Sequence, residues 1–444
     1  MVAPAYVEDS YVDHVLSANL DSTYAFEGPE KLLEVWFWPS ATAIPSSVSS
    51  EGLRAIPLEK WVNILDLVNC KILSMKSSPT VDAYLLSELS LFVFPHKFIL
   101  KTCGTTTTLA ALDEMFDIAR EHCGIDNKPA AISSKNVFKV FYSRRSFMFP
   151  DRQKHVHTSW KHETQLLNEH FVSGKLYVVG DFTLDDHWYL YMGGSGCNNS
   201  DSAKSCFSDQ TFEILMTQLD PSKAAQFVTS RKPGPDSMVE SDSEDHDLGH
   251  DYGLETMKAT GLDDVFRPSS RRFAQMPSPL LSDNMELLDD EARGNVRSDQ
   301  SKDSRSAIEF IHDAFSFSPC GFSSNSISSR SGGYYYTLHI TPESGWSYAS
   351  FETNYPFSAT SSVGIVDVLM RVLNIFKPGR FSMTLINESH PDLKSVLGVA
   401  HKDSFAELAS SDEALAKLGY MKHERVIYDL KSEYNLLYMN FEKQ

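Results

Sequence analysis

The stretch YLLSELSLFVFPHKFILKTCGTTTT, residues 84–108, decides the fold. Residues 84–94 are apolar and rich in residue types that favour β-structure, a Pro-His pair interrupts them, and residues 97–103 resume the pattern. Gly104 and four threonines then lead into a segment with helical spacing of its apolar residues. We therefore predict two strands, a turn and a helix at the core of a sheet.

Short helices and strands alternate along most of the remaining chain, with polar breaks between them. The spacing predicts helices over 58–67, 109–119, 160–171, 366–376 and 405–418. Strands are predicted within 26–39 and over 72–75, 137–142, 176–180, 188–192, 212–219, 307–318, 334–341, 347–352, 380–386 and 425–441. Because no regular strand-helix-strand series appears, this order indicates an α+β fold with antiparallel sheet.

Composition limits the partners of the chain. Lys and Arg number 40 and Asp and Glu 59, which gives 444 residues a net charge of −19. Such a charge disfavours nucleic acid and anionic membranes and favours cationic ligands. We expect no signal peptide, no membrane span and no metal site, since no apolar run reaches 18 residues and the six cysteines form no C-x-x-C pair. Free thiols predict a cytoplasmic protein.

Residues 231–305 differ from the rest in composition. They hold 17 acidic against 10 basic residues, a net charge of −7, together with many serines and prolines. Such a segment buries too little apolar surface to offset the entropy of ordering. We predict a largely disordered insert, with an ordered island near 254–266.

The central stretch resembles the self-processing segment of the eukaryotic, fungal-like S-adenosylmethionine decarboxylase family, which carries LSE-x-S-x-F-V followed by FILKTCGTT. Eight further motifs occur in the family's order, and any one of them alone would be weak. They are FEGPEKLLEVWF, FYSRRSFMFP, SDQTFEILM, LDP, FSPCGFS, HITPE, SYASFETN and FKPG.

The resemblance implies a four-layer α/β-β/α sandwich, with two facing antiparallel sheets and helices outside. It implies an N-terminal extension at 1–24, a first part of the sandwich at 25–230, the insert at 231–305 and a second part at 306–444. It also implies a carboxy-lyase of polyamine biosynthesis that acts on S-adenosylmethionine and supplies the aminopropyl donor for spermidine and spermine. The family's cofactor is a pyruvoyl group that the chain makes from itself.

The resemblance also assigns roles to single residues. Cys103 matches the thiol that returns a proton to the product, His339 the base of self-processing and Ser323 the hydroxyl that steadies its intermediate. Glu27 and Glu30 match acidic active-site residues. For the substrate, Phe26 and Phe317 match the aromatic pair around the adenine and Glu343 the ribose ligand, with Glu88 at the pocket. The residues that match an activator site for putrescine are Glu34, Lys101, Asp209, Thr211, Glu213 and Glu352.

The sequence departs from the family at the processing position. In the family a serine follows the glutamate of LSE, and its hydroxyl attacks the preceding carbonyl to form an ester, whose elimination breaks the chain. Here Leu89 follows Glu88, and leucine has no hydroxyl. Without a pyruvoyl carbonyl to hold the substrate amine as a Schiff base, decarboxylation lacks its electron sink. We therefore expect one uncleaved 444-residue polypeptide without useful turnover.

Ser90 is the nearest alternative nucleophile. Alternation along a strand places it on the face of Glu88 and Phe92, and we expect that face to point away from the family's reactive direction. Leu89 is expected to share a face with Leu85, Leu91 and Val93.

Three explanations of Leu89 stay open. The chain is an inactive variant, a paralogue that binds and activates an active homologue as a heterodimer, or the product of an error in sequence or codon assignment. Retention of Cys103, Ser323 and His339 favours a recent or artificial change over an old loss. If the chain does not form a heterodimer with an active homologue, it possesses the alternative of forming a homodimer.

Overall fold

Two large antiparallel sheets form this computed structural model. It describes residues 6–7, 10–12, 29–123, 137–147, 149–181, 186–198, 209–229, 248–268, 308–330, 332–345, 347–357, 361–388, 398–430 and 434–444. The predicted disorder of the insert therefore lies outside the described residues, except for 248–268.

The first sheet has ten strands in the described part of the chain, in the order β1-β2-β4-β5-β6-β7-β3-β8-β10-β9. All neighbouring strands are antiparallel. The strands are β1 (Tyr6–Val7), β2 (Ser10–Val12), β3 (Lys31–Trp36), β4 (Ile72–Ser77), β5 (Asp82–Leu86), β6 (Leu89–Val93), β7 (Lys97–Thr102), β8 (Lys139–Arg145), β9 (Lys175–Asp181) and β10 (Asp186–Gly193).

The second sheet has eight described strands in the order β12-β13-β14-β15-β11-β16-β18-β17, again antiparallel throughout. They are β11 (Gln210–Thr217), β12 (Phe310–Ser316), β13 (Phe322–Ser328), β14 (Tyr335–Thr341), β15 (Tyr348–Thr353), β16 (Arg380–Glu388), β17 (Tyr420–Asp429) and β18 (Tyr434–Lys443).

Helices cover the outer face of each sheet. Helices α1 to α3 pack on the first sheet through one apolar cluster, which includes Trp61, Met115 and Leu167. The helices around the second sheet share another cluster, which includes Met257 and Leu369. The helices are α1 (Leu58–Leu67), α2 (Leu112–Cys123), α3 (Trp160–His170), α4 (Pro221–Ala224), α5 (Leu248–Thr260), α6 (Ile365–Phe376), α7 (Gly398–Ala409) and α8 (Asp412–Lys417).

The inner faces of the two sheets pack against each other. Phe92 of β6 stacks on Tyr335 of β14 with ring centroids 4.2 Å apart, inside a cluster that includes Ile99 and Ile327. A second inter-sheet cluster joins Phe141 and neighbouring side chains to strand β18. The predicted four-layer sandwich is therefore confirmed.

The central stretch differs from its prediction in one respect. Residues 84–94 form a hairpin rather than one strand, because Leu86 pairs with Leu89 across a two-residue turn at Ser87 and Glu88. These two consecutive polar residues interrupt the apolar run, and they suffice to reverse the chain.

Other elements agree with the prediction or differ from it locally. The helix predicted over 405–418 is divided into α7 and α8, and Ser410 and Ser411 lie between them. The ordered island of the insert begins at 248 with helix α5 and ends in a turn through 262–264. Strand β13, with sequence FSSNSIS, was missed because serine and asparagine are poor strand formers. No helix among the described residues is long and apolar enough to cross a membrane.

Candidate active site

A polar cluster lies between the sheets where β6 faces β13 and β14. The Ser90 hydroxyl of β6 donates to Asn325 Oδ1 at 2.6 Å and lies 3.4 Å from His339 Nε2. His339 Nδ1 lies 3.0 Å from the Ser323 hydroxyl on the neighbouring strand. The prediction that His339 and Ser323 share a site is consistent with this placement, and Asn325 is a member that the sequence reasoning missed.

His339 has the properties of a neutral base. Its ring is buried, and burial, with Lys101 adding to the effect, lowers its pKa well below the usual value. Nε2 also lies 2.9 Å from the Thr337 hydroxyl, which itself lies 3.0 Å from Asn325 Oδ1. An imidazole without a proton on one nitrogen can accept a proton from a neighbouring hydroxyl.

A thiol and a carboxyl group form a hydrogen-bonded pair at the turn that precedes β6. The Cys103 thiol donates to Glu88 Oε2 at 3.4 Å. Burial raises the pKa of the Cys103 thiol well above its usual range, and Glu88 and Glu30 add to the shift. Burial also raises the pKa of Glu88 to about 7. Both groups therefore hold a proton that can be transferred near neutral pH.

Leu89 begins β6 with a strained backbone. Its φ is 95°, in a region that side-chain-bearing residues adopt rarely and at a cost of about 1–3 kcal/mol. The side chain is 5% exposed. The peptide between residues 89 and 90 thus follows a residue in an unfavourable conformation.

The expectation for Ser90 was wrong. Ser90 shares the inner face of the sheet with Phe92 and pairs with Lys101, and this face meets His339 and the second sheet. Leu91 lies on the opposite face, against the helices, whereas Leu85 lies on the inner face beside Phe317. Leu85 and Leu91 therefore do not share a face as expected. Alternation was read correctly for Ser90, but the face that carries the site was misassigned.

A charged cluster crosses the interior next to this site. The Lys101 ammonium lies 2.7 Å from Glu352, 2.8 Å from Glu30 and 3.8 Å from Glu213. Burial opposes the charge of Lys101, but these three carboxylates raise its pKa. Burial raises the pKa of Glu213 to about 8, although Lys101 opposes the shift. Ser350 also donates to Glu30.

The charged cluster also includes Lys97, Lys139 and Tyr434, which the sequence did not single out. Lys97 lies 2.7 Å from Glu34 and 3.8 Å from Asp209, and Tyr434 donates to Asp209 at 2.9 Å. Lys139 donates to the same tyrosine at 2.6 Å. The positions of Lys97 and Lys139 within apolar strand segments could have predicted this cluster, because a buried ammonium needs acidic partners.

One cavity collects most of the predicted activator site. It is lined by apolar residues of both sheets together with Glu34, Asp209, Thr211, Glu213 and Glu352. Lys101 reaches the same carboxylates from β7 through its ion pairs. The six predicted residues are thus brought together around one acidic space between the sheets.

The predicted substrate residues are placed less completely. Phe317 is 9% exposed and packs edge to face on Phe315, with ring centroids 4.8 Å apart. Glu343 is half-buried just after β14. Phe26 and Glu27 lie outside the described residues.

Comparison with known proteins shows the family of the chain. The family described as adenosylmethionine decarboxylase matches residues 23–442. The chain belongs to this family. It is 40% identical over 439 residues to the S-adenosylmethionine decarboxylase proenzyme of Saccharomyces cerevisiae, which covers 98% of this chain and 97% of that protein.

Other relatives are more distant. The proenzyme of the same name from Xenopus laevis is 34% identical and covers 86% of this chain and 89% of its own length. That of Ipomoea nil is 29% identical over 95% of this chain and 90% of its own length. A crystal structure of a Trypanosoma brucei AdoMetDC-delta26 monomer is 22% identical, with a TM-score of 0.45 over 80% of this chain and 99% of that one.

Proposed function

We propose that the space between the sheets is the binding site of an S-adenosylmethionine decarboxylase of polyamine biosynthesis. The observation that carries the proposal is that the Cys103–Glu88 pair lies at the turn of one hairpin and the His339–Ser323 pair faces Ser90, two residues farther along it, in a chain of this family. The surrounding acidic interior suits a substrate with a sulfonium and an ammonium group. The cytoplasm is the proposed location.

Cys103 is proposed to supply the proton that replaces carbon dioxide on the product. Because its thiol is buried, it stays protonated and is available as a general acid rather than as a nucleophile. Glu88 Oε2 accepts its hydrogen bond and fixes the direction of the thiol. Phe317 offers an aromatic surface to the adenine, and Glu343 and Glu30 supply carboxylates for the polar groups of the substrate.

The pyruvoyl group that the family uses would supply an electron-accepting carbonyl. The side chain at the family's processing position does not fit this group, because Leu89 carries no oxygen atom that could attack the carbonyl of Glu88. We propose that the bond between residues 88 and 89 stays intact in this chain. The roles above therefore describe binding and proton transfer by the protein's own residues.

The acidic cavity is proposed to bind a diamine such as putrescine. Its carboxylates outnumber the ammonium groups that reach it, and Glu213 holds a proton because burial raises its pKa to about 8. A dication would replace that proton and pair with Glu213 and the neighbouring carboxylates of the cavity.

A second candidate function rests on Leu89 itself. A chain that folds fully but has no hydroxyl at the family's processing position could act as a regulatory subunit that binds and activates an active homologue. A heterodimer would then be the functional form, whereas a decarboxylase could act as a monomer or a homodimer.

The deciding experiment restores the missing hydroxyl. Leu89→Ser is expected to cleave between residues 88 and 89 and to release carbon dioxide from carboxyl-labelled S-adenosylmethionine. Cys103→Ala in the same background serves as the control, and should keep cleavage but slow turnover by about 10²–10⁴-fold. A restored chain that is cleaved yet releases no carbon dioxide contradicts the enzyme. Stimulation of an active homologue by that chain would instead support the regulatory subunit.

A further inference from the structure

We propose that Ser90 is a self-processing nucleophile of this chain, so that the backbone breaks between Leu89 and Ser90, one residue beyond the family's position. The inference rests on the proposed function only in one respect, namely that the pyruvoyl group formed by the cleavage would serve decarboxylation. It concerns a residue to which neither the resemblance nor the family assigns this role.

The first support is the surroundings of the hydroxyl. Ser90 is fully buried, and its Oγ is placed by Asn325 Oδ1 at 2.6 Å and by His339 Nε2 at 3.4 Å. The amide of Asn325 is itself oriented, because its Nδ2 donates to the carbonyl oxygen of Tyr84 at 3.1 Å. A serine hydroxyl next to a neutral imidazole is the arrangement that activates oxygen nucleophiles.

The second support is the strain next to the bond. A serine hydroxyl can reach the carbonyl that precedes it through a five-membered ring, so Ser90 attacks the carbonyl carbon of Leu89. Leu89 is also the residue with φ of 95°. Conversion of the following amide to an ester frees the local backbone, which favours the product of the attack.

The proposed chemistry balances with one water molecule and no oxidant. The Ser90 hydroxyl first turns its proton from Asn325 Oδ1 to His339 Nε2, which takes it. Oγ then bonds to the carbonyl carbon of Leu89, and the carbon–nitrogen bond breaks as His339 passes the proton to the nitrogen. A base then removes the α-proton of residue 90, and the bond between Cβ and Oγ breaks, which releases Leu89 as a carboxylate. The remaining enamine becomes an imine, and water displaces ammonia to leave a pyruvoyl group at position 90.

The partners of His339 give it a defined orientation for both proton transfers. Ser323 holds Nδ1 at 3.0 Å, which leaves Nε2 for Thr337 and Ser90 on the inner side. His339 is the only histidine that contacts Ser90 among the hydrogen bonds of the described residues. We assign it as the base on this ground.

Mass spectrometry of the unmodified chain tests the inference directly. The expected products are residues 1–89 with a free carboxyl end, about 10 kDa, and residues 90–444, about 40 kDa. The larger product should weigh one ammonia less than a simple hydrolysis product. A chain that stays whole after prolonged incubation at 37 °C and pH 7.5 overturns the proposal, as does any other site of cleavage.

Variants separate this chemistry from contaminating protease. Ser90→Ala should reduce cleavage by at least about tenfold, whereas Ser87→Ala, in the turn of the same hairpin, should leave it unchanged. Because His339 serves both proton transfers, His339→Ala should also reduce cleavage by at least about tenfold. Cleavage that persists in Ser90→Ala rejects the proposal, and circular dichroism confirms that each variant is folded.

The two proposals can fail independently. If the unmodified chain stays whole while Leu89→Ser is cleaved after residue 88 and releases carbon dioxide, the inference about Ser90 fails and the proposed function stands. If the unmodified chain yields the fragment that begins at residue 90 but Leu89→Ser shows no turnover, the inference stands and the proposed enzyme fails.

Discussion

At the scale of single residues, most of the candidate site was predicted from the motifs, because each motif identifies a side chain by the residues next to it in sequence. They could not give the direction of Ser90. Both faces of β6 are buried, since Leu91 packs on helices and Phe92 packs on the second sheet. In a four-layer sandwich, alternation therefore shows which residues share a face but not which face carries polar chemistry.

Glu88 provides a pH-dependent prediction. Burial raises its pKa to about 7 from the usual 4.5, so the folded chain binds more protons than the unfolded chain between these values. Its contribution to stability is therefore complete below pH 4.5 and is lost as pH rises through 7. Between pH 5 and pH 8 the free energy of unfolding of the parent chain should therefore fall by up to about 3 kcal/mol more than that of Glu88→Gln.

Urea denaturation at the two pH values measures this difference. Glu59→Gln on α1 is the matched control, because Glu59 is exposed and the substitution is the same. If both variants show the same pH dependence as the parent chain, Glu88 does not titrate in this window.

At the scale of elements, periodicity located helices and strands well where one face is apolar. Helix α1 was predicted at its observed bounds, Leu58–Leu67. Strand β13 was missed because four of its seven residues are serines, although all seven are buried. Its pairing with β12 and β14 supplies a stability that local propensity does not show.

Helix α5 depends on a close approach to the edge strand β12. A Cβ atom at Gly253 would lie 2.5 Å from the backbone carbonyl carbon of Ala314. Gly253→Ala must therefore push the helix away from the strand, and should cost about 1–3 kcal/mol. Glu255→Ala, on the exposed face of the same helix, should change stability by less than about 0.5 kcal/mol.

Limited trypsin digestion measures the local effect. Cleavage after Lys258 should become at least about fivefold faster in Gly253→Ala, while Glu255→Ala stays like the parent chain. Equal rates in all three chains would show that α5 does not depend on this contact.

At the scale of the whole molecule, charge is buried between the sheets. Lys101 is fully buried and holds Glu30 and Glu352 within 2.8 Å. The sequence suggested a shared acidic site, but the additional partners Lys97, Lys139 and Tyr434 come from separate strands that only the assembled sandwich brings together. Their convergence is a property of topology rather than of local sequence.

Removing the central cation should weaken the whole fold. Lys101→Met leaves its carboxylates without their partner, and the expected loss is about 3–5 kcal/mol at pH 8. The loss should shrink at pH 5.5, because protonation neutralises the stranded carboxylates. Lys60→Met, which removes an exposed pair with Glu121, should cost less than about 1 kcal/mol.

Denaturant midpoints for the parent and both variants at the two pH values test this prediction. A loss in Lys101→Met that is no greater than in Lys60→Met would mean that the interior carboxylates are already protonated in the parent.

The position of the hairpin has a last consequence. Strands β5 and β6 lie side by side in the middle of the first sheet, and each is held by a further neighbour, β4 and β7. A nick at residue 89 would therefore release no mobile piece. The two polypeptides would stay interleaved, co-elute as one particle in gel filtration and part only in denaturant, so that a native preparation could conceal a broken backbone.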